Sequence, residues 1–287
     1  MSVPEIAKDT RPIGVFDSGM GGLSVLRAMA RRMPEQSYLY FGDTARAPYG
    51  NRCREELRQF TVEIGKWLIT KDCKMLLIAC NTAAALGGEA LAAESSVPVY
   101  GMTEAVMAAT LGAEQEIDWP LGMVATQATV NSGVYQAAFA QAAPGKPFYA
   151  QACPAFVPFV EKGCLDGPAV EQAARAYLAP MMAQGIKTLV LGCTHHPFLT
   201  PVLRRCLGPD VRIVDPADAM AELMVEKIKG TAESASSKAG ADGTGTALTG
   251  TSRGEMHFYS SGNVENFAHL AGRLLEQPIE RAERQVF

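Results

Sequence analysis

Two cysteines occupy matching positions in two similar stretches of the chain. The first stretch is KMLLIACNT (residues 74–82) and the second is KTLVLGCTH (residues 187–195). In each, a lysine precedes a continuous apolar run, which predicts a parallel strand buried on both faces. Because α/β sheets bind ligands outside the carboxyl ends of their strands, we expect Cys80 and Cys193 to present two thiols to one ligand.

Two thiols on opposite sides of a carbon acid can invert its configuration. One sulfur removes the proton as a thiolate, and the other delivers a proton to the opposite face as a thiol. A free cysteine titrates near ~8.5, so the thiolate needs a favourable environment. We expect the N-terminus of a helix after each cysteine, or a cationic group of the substrate, to provide it. The pattern therefore predicts stereoinversion by two cysteines.

A buried free cysteine is often only a small hydrophobic residue, and this interpretation stays open for the pair. Two cysteines at matching places, each followed by polar side chains, make it less attractive here. The remaining cysteines have no such context and are interpreted as structural: Cys53, Cys73, Cys153, Cys164 and Cys206.

Other catalytic chemistries fit the spacing less well. A phosphatase loop needs an arginine at the positions that Leu86 and Leu199 occupy. A zinc site favours two close ligand pairs, whereas CTHH (residues 193–196) is one cluster without a second. A pyridoxal enzyme needs an active-site lysine, but Lys74 and Lys187 lie at the opposite ends of their predicted strands. We therefore expect neither a metal ion nor a pyridoxal cofactor at these cysteines.

A dinucleotide-dependent oxidoreductase is the strongest alternative. GMGGLS (residues 19–24) approaches the GxGxxG fingerprint, and Asp43 ends the next strand, where a ribose-binding acid is found. Ser24 in place of the third glycine weighs against it, as does the negative charge of Asp17 ahead of the pyrophosphate position. A two-lobed binding protein without chemistry also remains, although it has no use for paired thiols.

The composition is that of a globular chain. It has 287 residues, 48% of them hydrophobic and 20% charged, and a net charge of -4. This mildly acidic balance favours neither nucleic acid nor an anionic membrane as a partner. The first residues, MSVPEIAKDTRP, lack the features of a secretory signal, and no apolar run approaches the ~18 residues of a membrane span. We expect a cytoplasmic protein with free thiols.

Strands and helices are predicted to alternate, and the pattern restarts in the middle of the chain. IGVFD (residues 13–17) and its glycine-rich turn are matched by LGMVA (residues 121–125), where Thr126 and Thr129 occupy the turn and offer hydroxyls to a ligand. The alternation predicts an α/β fold with two pseudo-symmetric domains, each a mainly parallel sheet flanked by helices, and an active site at their interface.

Domain boundaries follow from the repeat. We predict a discontinuous first domain of residues 1–105 plus 217–287 and a second domain of residues 106–216, with the last strand and helix returning to the first domain. Residues 231–254 are rich in alanine, glycine, serine and threonine, and are predicted to form a mobile surface loop.

Six motifs, in order, carry a family resemblance: FDSGMGGLSVL, YFGDTARAPYG, ACNTA, the threonines of VATQATV, CPAFVPFVEKG and LGCTHHP. They resemble the glutamate racemases of the cofactor-independent aspartate/glutamate racemase family. The resemblance covers residues 13–224 and then the final strand and helix. Two departures are the segment Glu104-Ala105-Val106, where the family has Glu-Pro-Gly, and the long loop at 231–254.

The resemblance implies interconversion of L- and D-glutamate without a cofactor, which supplies D-glutamate for bacterial peptidoglycan. It implies glutamate as the small-molecule substrate, and either a homodimer or a monomer–dimer equilibrium. Racemisation of aspartate or of another amino acid stays open as an alternative within the same family.

The resemblance also implies roles for individual residues. Cys80 would be the base toward D-glutamate and Cys193 the base toward L-glutamate. Asp17 and His195 would assist the thiols, with Glu161 close by. The residues implied to contact the substrate are Asp17, Ser18, Pro48, Tyr49, Gly50, Asn81, Thr82, Thr194 and His195. Asp17 as a cap of the following turn and His195 as a core histidine are the open alternatives.

Overall fold

The computed structural model describes residues 9–112, 117–236, 253–276, 278–279 and 281–287. The strands are Ile13–Asp17 (β1), Tyr38–Gly42 (β2), Met75–Ile78 (β3), Val99–Gly101 (β4), Leu121–Ala125 (β5), Phe148–Ala152 (β6), Thr188–Gly192 (β7), Arg212–Val214 (β8), Met256–Ser260 (β9) and Ala282–Arg284 (β10). Every strand pair in the described ranges is parallel.

The helices are Leu23–Arg32 (α1), Arg54–Thr70 (α2), Asn81–Glu94 (α3), Met102–Leu111 (α4), Gln127–Ser132 (α5), Val134–Ala142 (α6), Phe156–Glu161 (α7), Pro168–Ala183 (α8), Thr200–Leu207 (α9), Ala217–Ser236 (α10) and Val264–Leu275 (α11). Short 3-10 turns cover Tyr49–Asn51 and His196–Leu199. None of the helices that the structure describes is long and apolar enough to cross a membrane.

The strands form two sheets with the same internal order. The first sheet runs β10-β9-β2-β1-β3-β4 and the second runs β6-β5-β7-β8. In each sheet the first strand of the repeat lies between its second and third strands. The prediction of an α/β fold with two related parallel sheets is therefore confirmed.

The central strands are apolar because both of their faces are covered. All residues of β1, β3, β5 and β7 are buried, as expected for parallel strands between two helical layers. Helices α1, α10 and α11 contribute to the core on one face of the first sheet, and α2 and α3 cover the other. This packing fixes the carboxyl ends of β1, β3, β5 and β7, which are the ends that carry the site.

Three features differ from the sequence predictions. Helix α10 continues to Ser236, so the prediction of a loop is wrong for residues 231–236. The rest of the predicted loop, up to residue 252, lies outside the described residues. Helices α5 and α6 follow β5 where only a turn was predicted. A tenth strand, β10, extends the first sheet beyond β9, and β9 itself pairs with β2.

Candidate active site

Both cysteines lie where a central strand ends. Cys80 occupies the position before the first residue of α3, two residues after β3, and Cys193 directly follows β7. Each is only 5% exposed. They are close enough to interact electrostatically, since Cys193 contributes to the raised pKa of Cys80, and Tyr135 is influenced by both thiols. The structure therefore brings the two predicted residues into one site.

The glycine-rich turn after β1 packs directly against the second sheet. A Cβ atom on Gly21 would overlap His195 Nδ1 and lie 2.5 Å from Thr194 Oγ1. A Cβ atom on Gly19 would lie 2.5 Å from Glu161 Oε1. A side chain at Gly19 would displace the carboxylate end of Glu161, whereas one at Gly21 would press against a buried ring and a short side chain, so the close approach at this turn favours glycine most strongly at Gly21.

Asp17 joins the two halves through hydrogen bonds. Its Oδ1 accepts the Gly19 N–H at 2.9 Å, and its Oδ2 accepts the Thr194 hydroxyl at 2.9 Å. Burial raises the pKa of Asp17, although the charge of His195 and these two hydrogen bonds oppose the shift. Asp17 thus caps the turn, as its alternative interpretation expects, and also reaches across to the second sheet.

His195 lies between Cys193 and Glu161. Its Nδ1 is 3.9 Å from Cys193 Sγ, and its Nε2 is 2.6 Å from Glu161 Oε1, which also accepts the Met20 N–H at 3.3 Å. Burial lowers the pKa of His195, but the hydrogen bonds to Cys193 and Glu161 outweigh burial and raise it well above its usual range. This favours an imidazolium flanked by a thiolate and a carboxylate.

The two thiols have opposite ionisation tendencies. Burial and the charge of Asp17 raise the pKa of Cys80 to about 12, against smaller opposing contributions from Ala83 and Ser18. Burial also acts on Cys193, but the charge of His196 and the hydrogen bond with His195 lower its pKa to about 6. At neutral pH the arrangement therefore favours a Cys193 thiolate and a Cys80 thiol.

This asymmetry corrects the expectation that helix N-termini stabilise both thiolates. Cys80 does stand at the start of α3, yet its pKa is raised because burial and a nearby carboxylate dominate. Cys193 precedes only a turn and the short 3-10 segment His196–Leu199, so no α-helix begins at it. Histidines, rather than a helix dipole, account for its lowered pKa.

Asn81 offers a free donor inside the site. Its Oδ1 accepts the Tyr135 hydroxyl at 2.5 Å, whereas its buried Nδ2 has no hydrogen-bond partner among the described residues. A buried amide nitrogen without a partner is costly and marks a place for an acceptor. The amide is thus oriented by Tyr135 and its N–H groups remain available.

Three threonine hydroxyls meet across the two halves. Thr82 Oγ1 lies 2.9 Å from Thr126 Oγ1 and 3.0 Å from Thr129 Oγ1, and the last two are 3.0 Å apart. Thr126 also caps α5 by accepting the Thr129 N–H. A hydroxyl has one donor and two acceptor sites, so these hydroxyls can either bond one another or turn a hydrogen toward a ligand.

The loop after β2 brings further predicted residues to the site. Tyr49 is buried and donates to Asp43, and a Cβ atom on Gly50 would lie 2.9 Å from Thr126 Cβ. Pro48 next to them is exposed. Ser18, in the glycine-rich turn, is 7% exposed and its side chain interacts with Cys80.

The environment of Asp43 argues against the dinucleotide alternative. Its carboxylate is wholly buried and accepts hydrogen bonds from Tyr49, from Arg46 Nε at 2.6 Å and from Ser261 Oγ at 2.7 Å. A ribose-binding acid must face its ligand, whereas this one is saturated by protein. Asp43 instead holds the Tyr49 loop in place.

Two residues near the cysteines were not predicted from the sequence. Tyr135 comes from α6, a helix that the sequence pattern did not reveal, so nothing identified it. His196 stands in the quoted CTHH cluster but was considered only as a metal ligand. Within the described residues no three histidine, cysteine, aspartate or glutamate side chains are grouped to hold a metal ion.

Known proteins similar to the chain share both its sequence and its fold. The family model for Asp/Glu/Hydantoin racemase matches residues 13–224. A glutamate racemase of Syntrophus aciditrophicus is 42% identical over 221 residues, which cover 77% of this chain and 81% of the relative. One of Corynebacterium diphtheriae is 37% identical over 273 residues, covering 95% of this chain and 97% of the relative.

Solved structures of similar chains extend the match to three dimensions. The glutamate racemase of Francisella tularensis, solved in complex with D-glutamate, superposes with a TM-score of 0.82 at 28% identity, covering 96% of this chain and 97% of that one. The glutamate racemase of Thermus thermophilus, in complex with β-chloro-D-alanine, gives a TM-score of 0.78 at 36% identity, covering 97% and 98%.

Proposed function

The chain belongs to the Asp/Glu/Hydantoin racemase family, and we propose that it is a cofactor-independent isomerase that interconverts L- and D-glutamate. One observation carries the proposal: two buried thiols follow the carboxyl ends of equivalent central strands in two related sheets. Inversion at a carbon acid needs two acid/base groups on opposite faces, and the repeated fold supplies them.

The reaction uses the thiols in opposite protonation states. With D-glutamate, the Cys193 thiolate removes the Cα proton and the Cys80 thiol delivers its own proton to the opposite face, which gives L-glutamate. With L-glutamate, Cys80 is the base and Cys193 is the acid. Each turnover therefore leaves the proton on the other cysteine, and exchange with solvent restores the starting state.

His195 and Asp17 assist the two cysteines. The imidazolium of His195, held by Glu161, stabilises the Cys193 thiolate by charge and by its Nδ1 contact. Asp17, whose charge acts on Cys80, favours the thiol form that donates the proton. The hydrogen bond from Thr194 to Asp17 joins the turn after β7 to the end of β1 and supports a role for Asp17 that depends on the approach of the two sheets.

Neutral donors hold the substrate in this proposal. The free Nδ2 of Asn81 supports a hydrogen bond to a substrate carboxylate. The other proposed contacts are Ser18, Pro48, Tyr49, Gly50, Thr82, Thr126, Thr129 and Thr194. Hydroxyls, an amide and backbone N–H groups bind carboxylates without an arginine, and thus leave the thiol pKa values governed by the histidines and Asp17.

The proposal extends to organisation and context. The domains are residues 1–105 plus 217–287 and residues 106–216, a boundary supported by helix α4, whose Ala105 packs in the first core and whose Val106 packs in the second. The product D-glutamate serves peptidoglycan synthesis in the cytoplasm. We propose a homodimer or a monomer–dimer equilibrium, which light scattering over a range of protein concentrations tests.

Racemisation in deuterium oxide tests the reaction. Starting from D-glutamate without added cofactor, the L-glutamate formed early is expected to carry deuterium at Cα, while the remaining D-glutamate keeps its proton. If the remaining D-glutamate gained deuterium as early as the L-glutamate product, a single base that both removes and returns the proton would be indicated instead. Parallel assays with L-aspartate establish the choice of substrate, and a nicotinamide dinucleotide requirement would contradict the proposal.

Cysteine variants assign the two bases. Cys80→Ser and Cys193→Ser are each expected to nearly abolish racemisation, because serine hydroxyls are poor proton donors and acceptors at these positions. Cys206→Ser, which removes a thiol outside the site, is the matched control and is expected to retain activity. Equal loss in all three variants, or in none, would contradict the assignment.

A further inference from the structure

His196 is a buried histidine whose polar ring is not explained by packing or by hydrogen bonding. Its side chain is fully buried, and neither Nδ1 nor Nε2 has a hydrogen-bond partner among the described residues. Leaving a buried polar group unpaired costs about 1–3 kcal/mol. A histidine that served only to fill space would be replaced at a gain by an apolar ring, so the imidazole calls for a chemical explanation.

The local fold places this ring beside Cys193. The backbone N–H of His196 donates to the Cys193 carbonyl at 3.0 Å, which closes a tight turn at the end of β7. The ring packs edge-on against Phe156, with centroids 5.1 Å apart and planes at 90°. Phe156 belongs to α7, the helix that ends at Glu161. The imidazole is therefore confined by packing rather than by hydrogen bonds.

Cys193 consequently has two imidazoles as neighbours, and they are held differently. His195 contacts Cys193 through Nδ1 and is anchored by Glu161 at its other nitrogen. His196 has no such anchor, and it lowers the pKa of the thiol mainly through its charge, with a smaller contribution from a weak polar contact of its side chain. Among the charges that lower the pKa of Cys193 against the effect of burial, that of His196 is the largest.

We propose that His196 is a positioning residue for Cys193, in which a buried imidazole stabilises the thiolate and extends activity to lower pH. The inference rests on the proposed racemisation but concerns a separate residue. The other titratable groups that interact with Cys193 are His195, which lowers the pKa of the thiol, and Glu161, which acts through His195. Cys193 in turn raises the pKa values of Cys80, Cys153 and Tyr135. Of all these groups, only the two histidines favour the thiolate directly.

Substitution of His196 by phenylalanine tests the proposal because it keeps an aromatic ring against Phe156 and removes both nitrogens. The ionisation of Cys193 is followed by the NMR chemical shift of its Cβ atom in cysteine-labelled protein, which does not require the thiol to be accessible. The midpoint is expected to rise by at least about one pH unit, toward the value of a free cysteine. The acid limb of kcat/KM is expected to move by the same amount.

Two further variants make the outcome decisive. His257→Phe removes an exposed histidine on β9 that pairs with Glu255, and is expected to leave the limb unchanged. His196→Gln keeps an N–H donor without a titratable ring, and is expected to shift the limb as His196→Phe does; it decides the question if the phenylalanine variant does not fold. An unchanged Cys193 midpoint in a folded variant would overturn the inference about His196. Racemisation by the unmodified chain would still support the proposed function in that case, so the two proposals can fail separately.

Discussion

His195 Nε2 lies 2.6 Å from Glu161 Oε1, and the opposite nitrogen of the same ring faces Cys193 Sγ at 3.9 Å. Glu161 ends α7, and Cys193 and His195 lie in the turn after β7, so all three belong to the part of the chain that forms and covers the second sheet. The carboxylate favours the imidazolium, and the imidazolium favours the thiolate. The basicity of Cys193 is thus set by a chain of charges rather than by one contact.

Glu161→Gln is expected to weaken this chain. Without the carboxylate the pKa of His195 falls, the neutral ring no longer stabilises the thiolate, and the pKa of Cys193 rises. At a fixed pH below the pKa of Cys193, kcat/KM is expected to fall about tenfold for every pH unit by which that pKa rises. Initial rates as a function of pH measure the effect. Glu255→Gln disrupts an exposed glutamate–histidine pair and is the control that should show no change.

The pH dependence of the unmodified chain follows from the two thiols. Activity needs one thiolate and one thiol, so kcat/KM is expected to decline about tenfold per pH unit below a pH of about 6, where Cys193 is protonated. No decline from Cys80 is expected until its proton is lost near a pH of about 12. A limb centred near ~8.5, the value of an unperturbed cysteine, would contradict the lowered pKa of Cys193.

This profile is expected to be the same in both directions. L- and D-glutamate have equal free energies in water, so the ratio of the two kcat/KM values is fixed at one at every pH. The unequal thiols can therefore alter kcat and KM individually without favouring either enantiomer at equilibrium. Polarimetric assays from each enantiomer, fitted with separate kcat and KM values, measure that partition.

The fold could be predicted from the sequence where the strands are continuous apolar runs. β1, β3, β5 and β7 are continuous apolar runs, because helices cover both of their faces. The missed strand β10 reads Ala282-Glu283-Arg284 and, among the described strands, pairs with β9 alone, so its sequence has no run of apolar residues. Its position depends on contacts with β9, which sequence periodicity does not record.

The site residues that could be predicted are those that follow the same apolar strands. Cys80 and Cys193 could be found because each follows a recognisable strand, and His195 because it is two residues further on. Their unequal ionisation was not predicted. His195 and His196 follow Cys193 in the sequence and have no counterpart after Cys80, but that they lower the pKa of the thiol depends on how their rings pack. The effect of Asp17 on Cys80 depends on the pairing of β1 with β3, which the sequence neighbours of Cys80 do not record.

Tyr135→Phe is expected to weaken substrate binding. The hydroxyl donates to Asn81 Oδ1 at 2.5 Å and so directs the free Nδ2 into the site. Losing one hydrogen bond of about 0.5–1.5 kcal/mol predicts a rise in KM of roughly two- to tenfold with kcat little affected. Tyr38→Phe, whose hydroxyl bonds the Met29 and Met33 carbonyls in the first core, is the control. A KM increase in both variants would indicate general destabilisation.

Gly21→Ala tests whether the two halves must meet at the glycine-rich turn. The added Cβ would overlap His195 Nδ1 and lie 2.5 Å from Thr194 Oγ1, so the second sheet has to move away from the first. A displacement of this size is expected to lower kcat/KM by about 10²-fold, because both cysteines lose their alignment with one carbon. Gly88→Ala, in the middle of α3, is the matched control, since its Cβ would have an ordinary 3.5 Å contact with the side chain of Ile78 in β3. That control should keep full activity and gain about 0.5–1 kcal/mol of stability, whereas an active Gly21→Ala chain would show that catalysis does not need this close approach.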